Sequence, residues 1–133
     1  AVSLYKEAET GVRIEFEEQD DVPPVRVDRE QMKRVMINLL DNAIAAMEGR
    51  GEIRIGLETD PDRRAVRISV EDSGKGIPAD HKSRLFEPYF STKKQGTGLG
   101  LAIVNTIVSE HRGRIRVEDN EPQGSRFIID LPV

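Results

Sequence analysis

The sequence predicts an α+β two-layer sandwich, a mixed and mainly antiparallel sheet with helices on one face. Three observations lead there. The strand-like segments alternate apolar and polar residues instead of running continuously apolar, so each offers one face to a core. Two long stretches carry apolar residues at helical spacing. The two kinds of segment interleave with no repeat, linker or low-complexity stretch between them, so the 133 residues are expected to form one domain, 1–133. Alternation identifies the buried face of each strand but not the order of strands in the sheet.

The elements follow in order. Val12, Ile14 and Phe16 alternate with Arg13, Glu15 and Glu17 in a first strand. Asp20-Asp21-Val22-Pro23-Pro24 is a loop. Asp28 is placed to N-cap a long helix reaching about residue 48, which Gly49-Arg50-Gly51 ends. Ile53, Ile55 and Leu57 form a second strand, and Asp60-Pro61-Asp62 turns the chain into a third over 64–72. Residues 79–85 fit a short helix, and 86–98 carry few helix or strand signals. A second long helix over 99–111 is apolar almost all round and is expected to be buried. Ile115 and Val117 mark a fourth strand; Phe127, Ile129 and Leu131 mark a fifth.

Composition excludes several functions. A net charge of −4 and a pI near 5.3, with no basic arm or stripe, give nucleic-acid binding little support. The absence of cysteine removes disulfides, thiolate metal sites and a thiol nucleophile. His81 and His111 lack metal-ligand spacing; His81 reads as exposed at a helix start and His111 as a helix C-terminal residue favoured by the dipole. No apolar run approaches the ~18 residues of a membrane span, and the first residues do not read as a signal peptide. A cytoplasmic domain is expected, without direct membrane contact.

The most informative residue is Asp72. It is in phase with Val66, Ile68 and Val70, not with Arg67, Ser69 and Glu71, so its carboxyl should face the apolar side. A buried carboxylate needs a partner. Gly74 and Gly76 follow at once and leave room for a flat ligand bearing an amino group, such as adenine. A tight turn after a strand explains the same glycines. On the first long helix, Asn38 and Asn42 stand one turn apart beside Asp41, with Asn42 at the edge of the apolar arc and Asn38 opposite it. An oxygen-rich ledge of this kind suits Mg²⁺, which takes oxygen ligands and keeps several waters. Solvated polar residues on an ordinary amphipathic helix are the plain alternative.

Gly96-Thr97-Gly98-Leu99-Gly100-Leu101 opens the second long helix, where exposed N–H groups attract phosphate. It is neither the dinucleotide-binding GxGxxG nor a P-loop. Lys93 and Lys94, in the loop before it, offer cations to a terminal phosphate, or form a solvated pair. Phe86, Tyr89 and Phe90 flank Glu87-Pro88 and either anchor a lid or, as is expected of Phe86, belong to the core.

Each piece alone is ambiguous, but their order is not. Asn38-x-x-x-Asn42, Asp72-x-Gly74-x-Gly76, Phe86-Glu87-Pro88-Tyr89-Phe90, Gly96-Thr97-Gly98-Leu99-Gly100 and Gly124-Ser125-Arg126-Phe127 resemble the N, G1, F, G2 and G3 boxes of the catalytic ATP-binding domain of sensor histidine kinases. The resemblance runs from about residue 10 to the end. The stretch from Asn38 to Met47 and the short Phe90-Ser91-Thr92-Lys93 run look most like nitrogen-regulation kinases of NtrY or NtrB type.

The resemblance implies the Bergerat, or GHKL, fold, with ATP and Mg²⁺ as cofactors. It implies that Asp72 takes the adenine amino hydrogen bond, with Gly74 and Gly76 beside the ring and a bridging water near Ser125 or Thr97. It makes Asn42 the Mg²⁺ ligand, Asn38 a helper of phosphate and water, and the Gly98-Leu99-Gly100 run the phosphate lining, under a lid over 86–96. Two departures matter. Ala45 stands where many members carry a basic residue, so Lys93 becomes the candidate phosphate cation. The phosphoacceptor histidine and its helical hairpin are absent, so the chain should bind ATP without phosphorylating itself. The implied partners are that hairpin and, indirectly, a response regulator, with this chain a monomer and the full-length kinase open to inner-membrane attachment. An ATPase clamp, an anti-sigma serine kinase or a regulatory domain of the same fold stays open as an alternative.

Overall fold

The computed structural model describes residues 2–7, 12–48, 50–62, 64–87 and 100–133, the first six as backbone alone. The strands are β1 (Val2–Glu7), β2 (Val12–Glu18), β3 (Gly51–Thr59), β4 (Ala65–Asp72), β5 (Arg114–Asp119) and β6 (Ser125–Pro132). The helices are α1 (Arg29–Ala46), α2 (Ala79–Lys82) and α3 (Gly100–Glu110). One mixed sheet has the order β1-β2-β3-β4-β6-β5. Strands β2 and β3 pair in parallel, with α1 as their crossover, and the other neighbours pair antiparallel.

The period-two pattern produces two unlike sheet faces. Val12, Ile53, Val70, Phe127, Ile129 and Leu131 bury on one of them. Val35, Leu39, Ala43 and Met47 of α1, and Val104, Ile107 and Val108 of α3, complete the core against that face. Helix α1 starts where Asp28 accepts the Gln31 N–H at 3.0 Å, which satisfies one of the free donors of the first turn. The opposite sheet face carries cross-strand ion pairs: Arg67–Asp130 at 2.8 Å and Arg126–Glu71 at 3.3 Å join register partners, and Arg116–Asp130 at 2.9 Å runs diagonally. These groups are partly solvated, so each pair contributes at most ~1 kcal/mol.

The stability of this arrangement lies in the seam between helices and sheet. Leu39 is 1% exposed and sits among α1, α3 and the sheet. Truncating Leu39→Ala should cost about 2–5 kcal/mol, the range for a buried leucine that leaves a cavity. Denaturant unfolding of parent and variant with equal m-values checks it.

Three expectations change. Strand β1 was not foreseen, and it makes the sheet six-stranded. Helix α2 stops at Lys82 instead of near 85. Helix α3 is not buried all round: it packs against α1 and β5, and leaves Asn105, Thr106, Ser109 and Glu110 exposed.

Candidate functional site

Strand β4 ends on the inward acid. Asp72 is 2% exposed, as its phase requires. Its Oδ1 accepts two backbone N–H groups, from Gly74 at 2.9 Å and Ser125 at 3.3 Å. Its own carbonyl accepts the side-chain amide of Asn120 at 2.9 Å. Oδ2 receives no donor among the described residues. Burial pushes the carboxyl above its ordinary pKa, and the two N–H groups pull the other way without cancelling it.

The loop after β4 is pressed against the end of α1. The Lys75 N–H donates to the Ala46 carbonyl at 3.2 Å. A Cβ on Gly74 would lie 2.6 Å from that same carbonyl oxygen, a contact backbone cannot relieve. Glycine here is therefore a packing requirement. It lets the loop fold over the helix end and turn Asp72 towards a cavity of about 320 Å³. Asn42, Ala45, Gly76, Ile77, Leu85 and Ser125 also line that cavity, with Leu101 and Phe127 on its apolar side. Phe127 is held by an edge-on contact with Phe86, centroids 6.3 Å apart at 85°, which places Phe86 against the core as expected.

The two asparagines behave differently. Asn42 borders the cavity, and its amide nitrogen donates to the Asn38 carbonyl at 2.9 Å. That bond fixes the plane of the Asn42 amide. Asn38 does not line the cavity, and it is not on a fully solvated side. It is half-buried, and its amide donates across the helix seam to the Gly100 carbonyl at 3.2 Å. The reason is that the head of α3 covers that side of α1. Asn38 therefore tethers the point where the glycine-rich segment becomes helix. No cluster of three His, Cys, Asp or Glu gathers among the described residues. A divalent cation here would depend on single protein oxygens together with ligand oxygens.

The structure thus brings Asn42, Asp72, Gly76 and Ser125 to one cavity, with Gly74 beneath Asp72 and Gly100 at the start of α3. Lys93, Thr97, Gly98 and Leu99, with Lys94 and the rest of 88–99, lie outside the described residues. A wider hollow of about 510 Å³ between α1 and α3 is edged by Glu30, Arg34 and Glu110. Among the described residues it borders none of the predicted site residues and contains no inward acid, so it is not the candidate site.

Several contributors were missed. His81 is half-buried and lines the cavity instead of standing exposed at a helix start. Its side follows from the α2 turn, which the sequence placed but could not orient. Asn120 and Gln123 contact the β4 loop, although a turn rich in polar residues gave no sign of it. His111 does sit at the end of α3, with Nδ1 2.8 Å from the Ile107 carbonyl, but its Nε2 also accepts the Asp28 N–H at 2.9 Å. The ring is therefore the Nδ1–H tautomer and joins the two long helices.

Comparison with known proteins agrees with this geometry. Residues 27–133 match the family described as histidine kinase-, DNA gyrase B-, and HSP90-like ATPase. The sensor histidine kinase ZraS of Escherichia coli K12 is 43% identical over 122 residues, which are 92% of this chain and 26% of ZraS. The chain thus spans about a quarter of that relative's length. The catalytic domain of histidine kinase ThkA superposes with a TM-score of 0.79 at 41% identity, covering 92% of this chain and 78% of the ThkA domain. Full-length ShkA in complex with AMPPNP gives 0.80 at 27% identity, covering 93% of this chain and 26% of ShkA. The chain belongs to the histidine kinase-, DNA gyrase B-, and HSP90-like ATPase family and, within it, to the catalytic domains of histidine kinases.

Proposed function

We propose that the chain binds Mg²⁺–ATP in the cavity beside Asp72 and presents the γ-phosphate to a histidine on a separate dimerisation hairpin, in two-component signalling. The observation that carries this reading is the half-satisfied acid: Oδ1 is anchored by Gly74 and Ser125 while Oδ2 has no donor among the described residues, at an apolar-walled cavity. An adenine amino group supplies the missing donor. The apolar side, with Ile77, Leu85 and Leu101, suits the ring.

From Asp72 the phosphates run towards the head of α3, whose free N–H groups and dipole favour anions. Asn38 holds that head through the Gly100 carbonyl, and Thr97, Gly98 and Leu99 are proposed to line it. Asn42 supplies an amide oxygen for Mg²⁺, which when bound offsets phosphate charge. Lys93 is proposed to neutralise the terminal phosphate in place of the cation that Ala45 lacks. In the intact kinase an imidazole nitrogen of the hairpin attacks the γ-phosphorus in line, the bond to the bridging oxygen breaks, and ADP leaves. This chain contributes position and charge. Asn38 is an amide and cannot act as a general base towards water, which favours transfer over an ATPase clamp.

The finer assignment, to nitrogen-regulation kinases of NtrY or NtrB type, rests on the run from Asn38 to Met47 and on Phe90-Ser91-Thr92-Lys93. A cytoplasmic setting is proposed with it; among the described residues no helix is long and apolar enough to cross a membrane. A response regulator is the indirect partner; ThkA has been solved in complex with its regulator TrrA, at 39% identity to this chain, covering 90% of this chain and 34% of the ThkA chain, with a TM-score of 0.70. The chain alone is proposed to be monomeric, and a tight dimer in sedimentation would contradict that.

Asn42→Asp tests the metal role. A carboxylate facing the phosphates should weaken ATP binding without Mg²⁺ by at least ~10-fold through like-charge repulsion, and added Mg²⁺ should recover most of it. Calorimetric titration with and without Mg²⁺ reads both. Equal losses in the two conditions would remove Asn42 from the metal site.

A further inference from the structure

The turn between β5 and β6 grips the loop that carries the acid. The Asn120 side-chain amide donates to the Asp72 carbonyl at 2.9 Å. The Gln123 amide donates to the Ser73 carbonyl at 2.9 Å and the Gly74 carbonyl at 3.3 Å. The turn itself is closed by the Asn120 N–H on the Gly124 carbonyl at 3.0 Å. The same short segment, through the Ser125 N–H, holds Asp72 Oδ1.

Three successive carbonyls, of residues 72 to 74, are therefore held by two amide side chains, while the Asp72 side chain borders the cavity. Rotation of the Asp72 peptide would swing the carboxylate, and these bonds oppose that rotation. We propose that Asn120 and Gln123 are positioning residues for adenine recognition, which set the orientation of the Asp72 carboxylate without touching the nucleotide. The inference rests on the adenine reading of Asp72 and adds to it the device that holds the acid in place.

The specific consequence concerns the base and not the phosphates. Misaligning Asp72 weakens the bond to an exocyclic amino group, which ATP has and ITP lacks. A purely structural role would weaken both nucleotides alike. The test measures ATP and ITP affinities by calorimetry for the 133-residue chain, for Asn120→Ala/Gln123→Ala, and for Gln123→Glu and Gln123→Lys.

The parent should prefer ATP, and the double variant should lose ~3- to 10-fold of that preference through weaker ATP binding, the scale of one misaligned hydrogen bond. Gln123 is exposed, so its single variants keep the fold if the double variant does not. Gln123→Glu, isosteric but without the donor, should lose part of the preference, and Gln123→Lys, which restores a donor, should regain it. An unchanged ATP-to-ITP ratio in the folded variants overturns the proposal, whether the affinities hold or fall together. A parent that binds both nucleotides equally overturns the adenine reading itself, and that failure is visible before any variant is compared.

Discussion

Asp72→Asn should weaken ATP binding at least ~100-fold while leaving the nucleotide-free protein as stable as the parent or more so at neutral pH. The two effects have one cause. The ionised carboxylate is suited to an amino donor, and a charge-assisted bond of this kind contributes about 1.5–3 kcal/mol. Asparagine presents its own NH₂ where Oδ2 stood, so two donors meet and the loss exceeds that of the bond alone. The Asn side-chain oxygen still accepts the Gly74 and Ser125 N–H groups, so the loop keeps its anchor.

The sign of the stability effect follows from the raised pKa. Burial lifts the folded-state value above the unfolded one. The group's contribution is therefore fully present below the unfolded value and is lost as pH rises through the folded value. At neutral pH the unliganded carboxylate is a net cost, which the amide does not carry. The advantage of Asp72→Asn should be present at pH 7 and shrink in acid below the carboxyl's range. Denaturant unfolding at both pH values reads it. Nucleotide affinity of the parent should fall in the same acid window, while the weak residual affinity of the variant should not follow it.

Gly124→Ala should be the most damaging single methyl in the described structure. Gly124 has φ of +105° and is buried, and an added Cβ would lie 2.0 Å from the Asp72 carbonyl oxygen and 3.0 Å from Asp72 Oδ1. Both the dihedral and the contact oppose a side chain, and the atom struck is backbone. A loss of ~3 kcal/mol or more is expected, from strain and from displacement of the Asp72 loop. Any folded fraction should bind ATP poorly, since the carbonyl struck belongs to the recognition residue. Gly100→Ala is the contrast: its Cβ meets nothing within 4 Å among the described residues, so stability should hold. Thermal unfolding of the two variants beside the parent separates a steric requirement from a general glycine effect. Similar stability of Gly124→Ala and parent would show that the turn can relax away from β4.

The strands and long helices were legible because their signals are local. Alternation at Val66, Ile68, Val70 and Asp72 forecast the buried acid at 2% exposure, and Asp28 forecast the start of α1. Strand β1 was missed because its place is set by pairing with β2 at the sheet edge, as in Leu4 opposite Phe16, more than by its own pattern. Helix α3 was misjudged because composition counts apolar residues without saying which stripe meets α1.

The site was legible where a residue breaks a rule. An acid in an apolar phase and asparagines inside a helix ask for explanations. The residues that support them break none. Asn120 and Gln123 are ordinary in a turn, and only the antiparallel pairing of β4 with β6 brings that turn to Asp72. The tie from Asn38 to Gly100 joins residues 62 apart in sequence, and no helical projection contains α3.

The measurement that tests the central claim most directly is an amide NMR titration of the 133-residue chain with AMPPNP and Mg²⁺. Saturable shifts should centre on Asp72, Gly74, Gly76 and Ser125, extend to Asn42 and the head of α3, and vanish from that set in Asp72→Asn. Shifts absent from a folded chain, or centred on the hollow edged by Glu30, Arg34 and Glu110, would contradict the placing of the nucleotide beside Asp72.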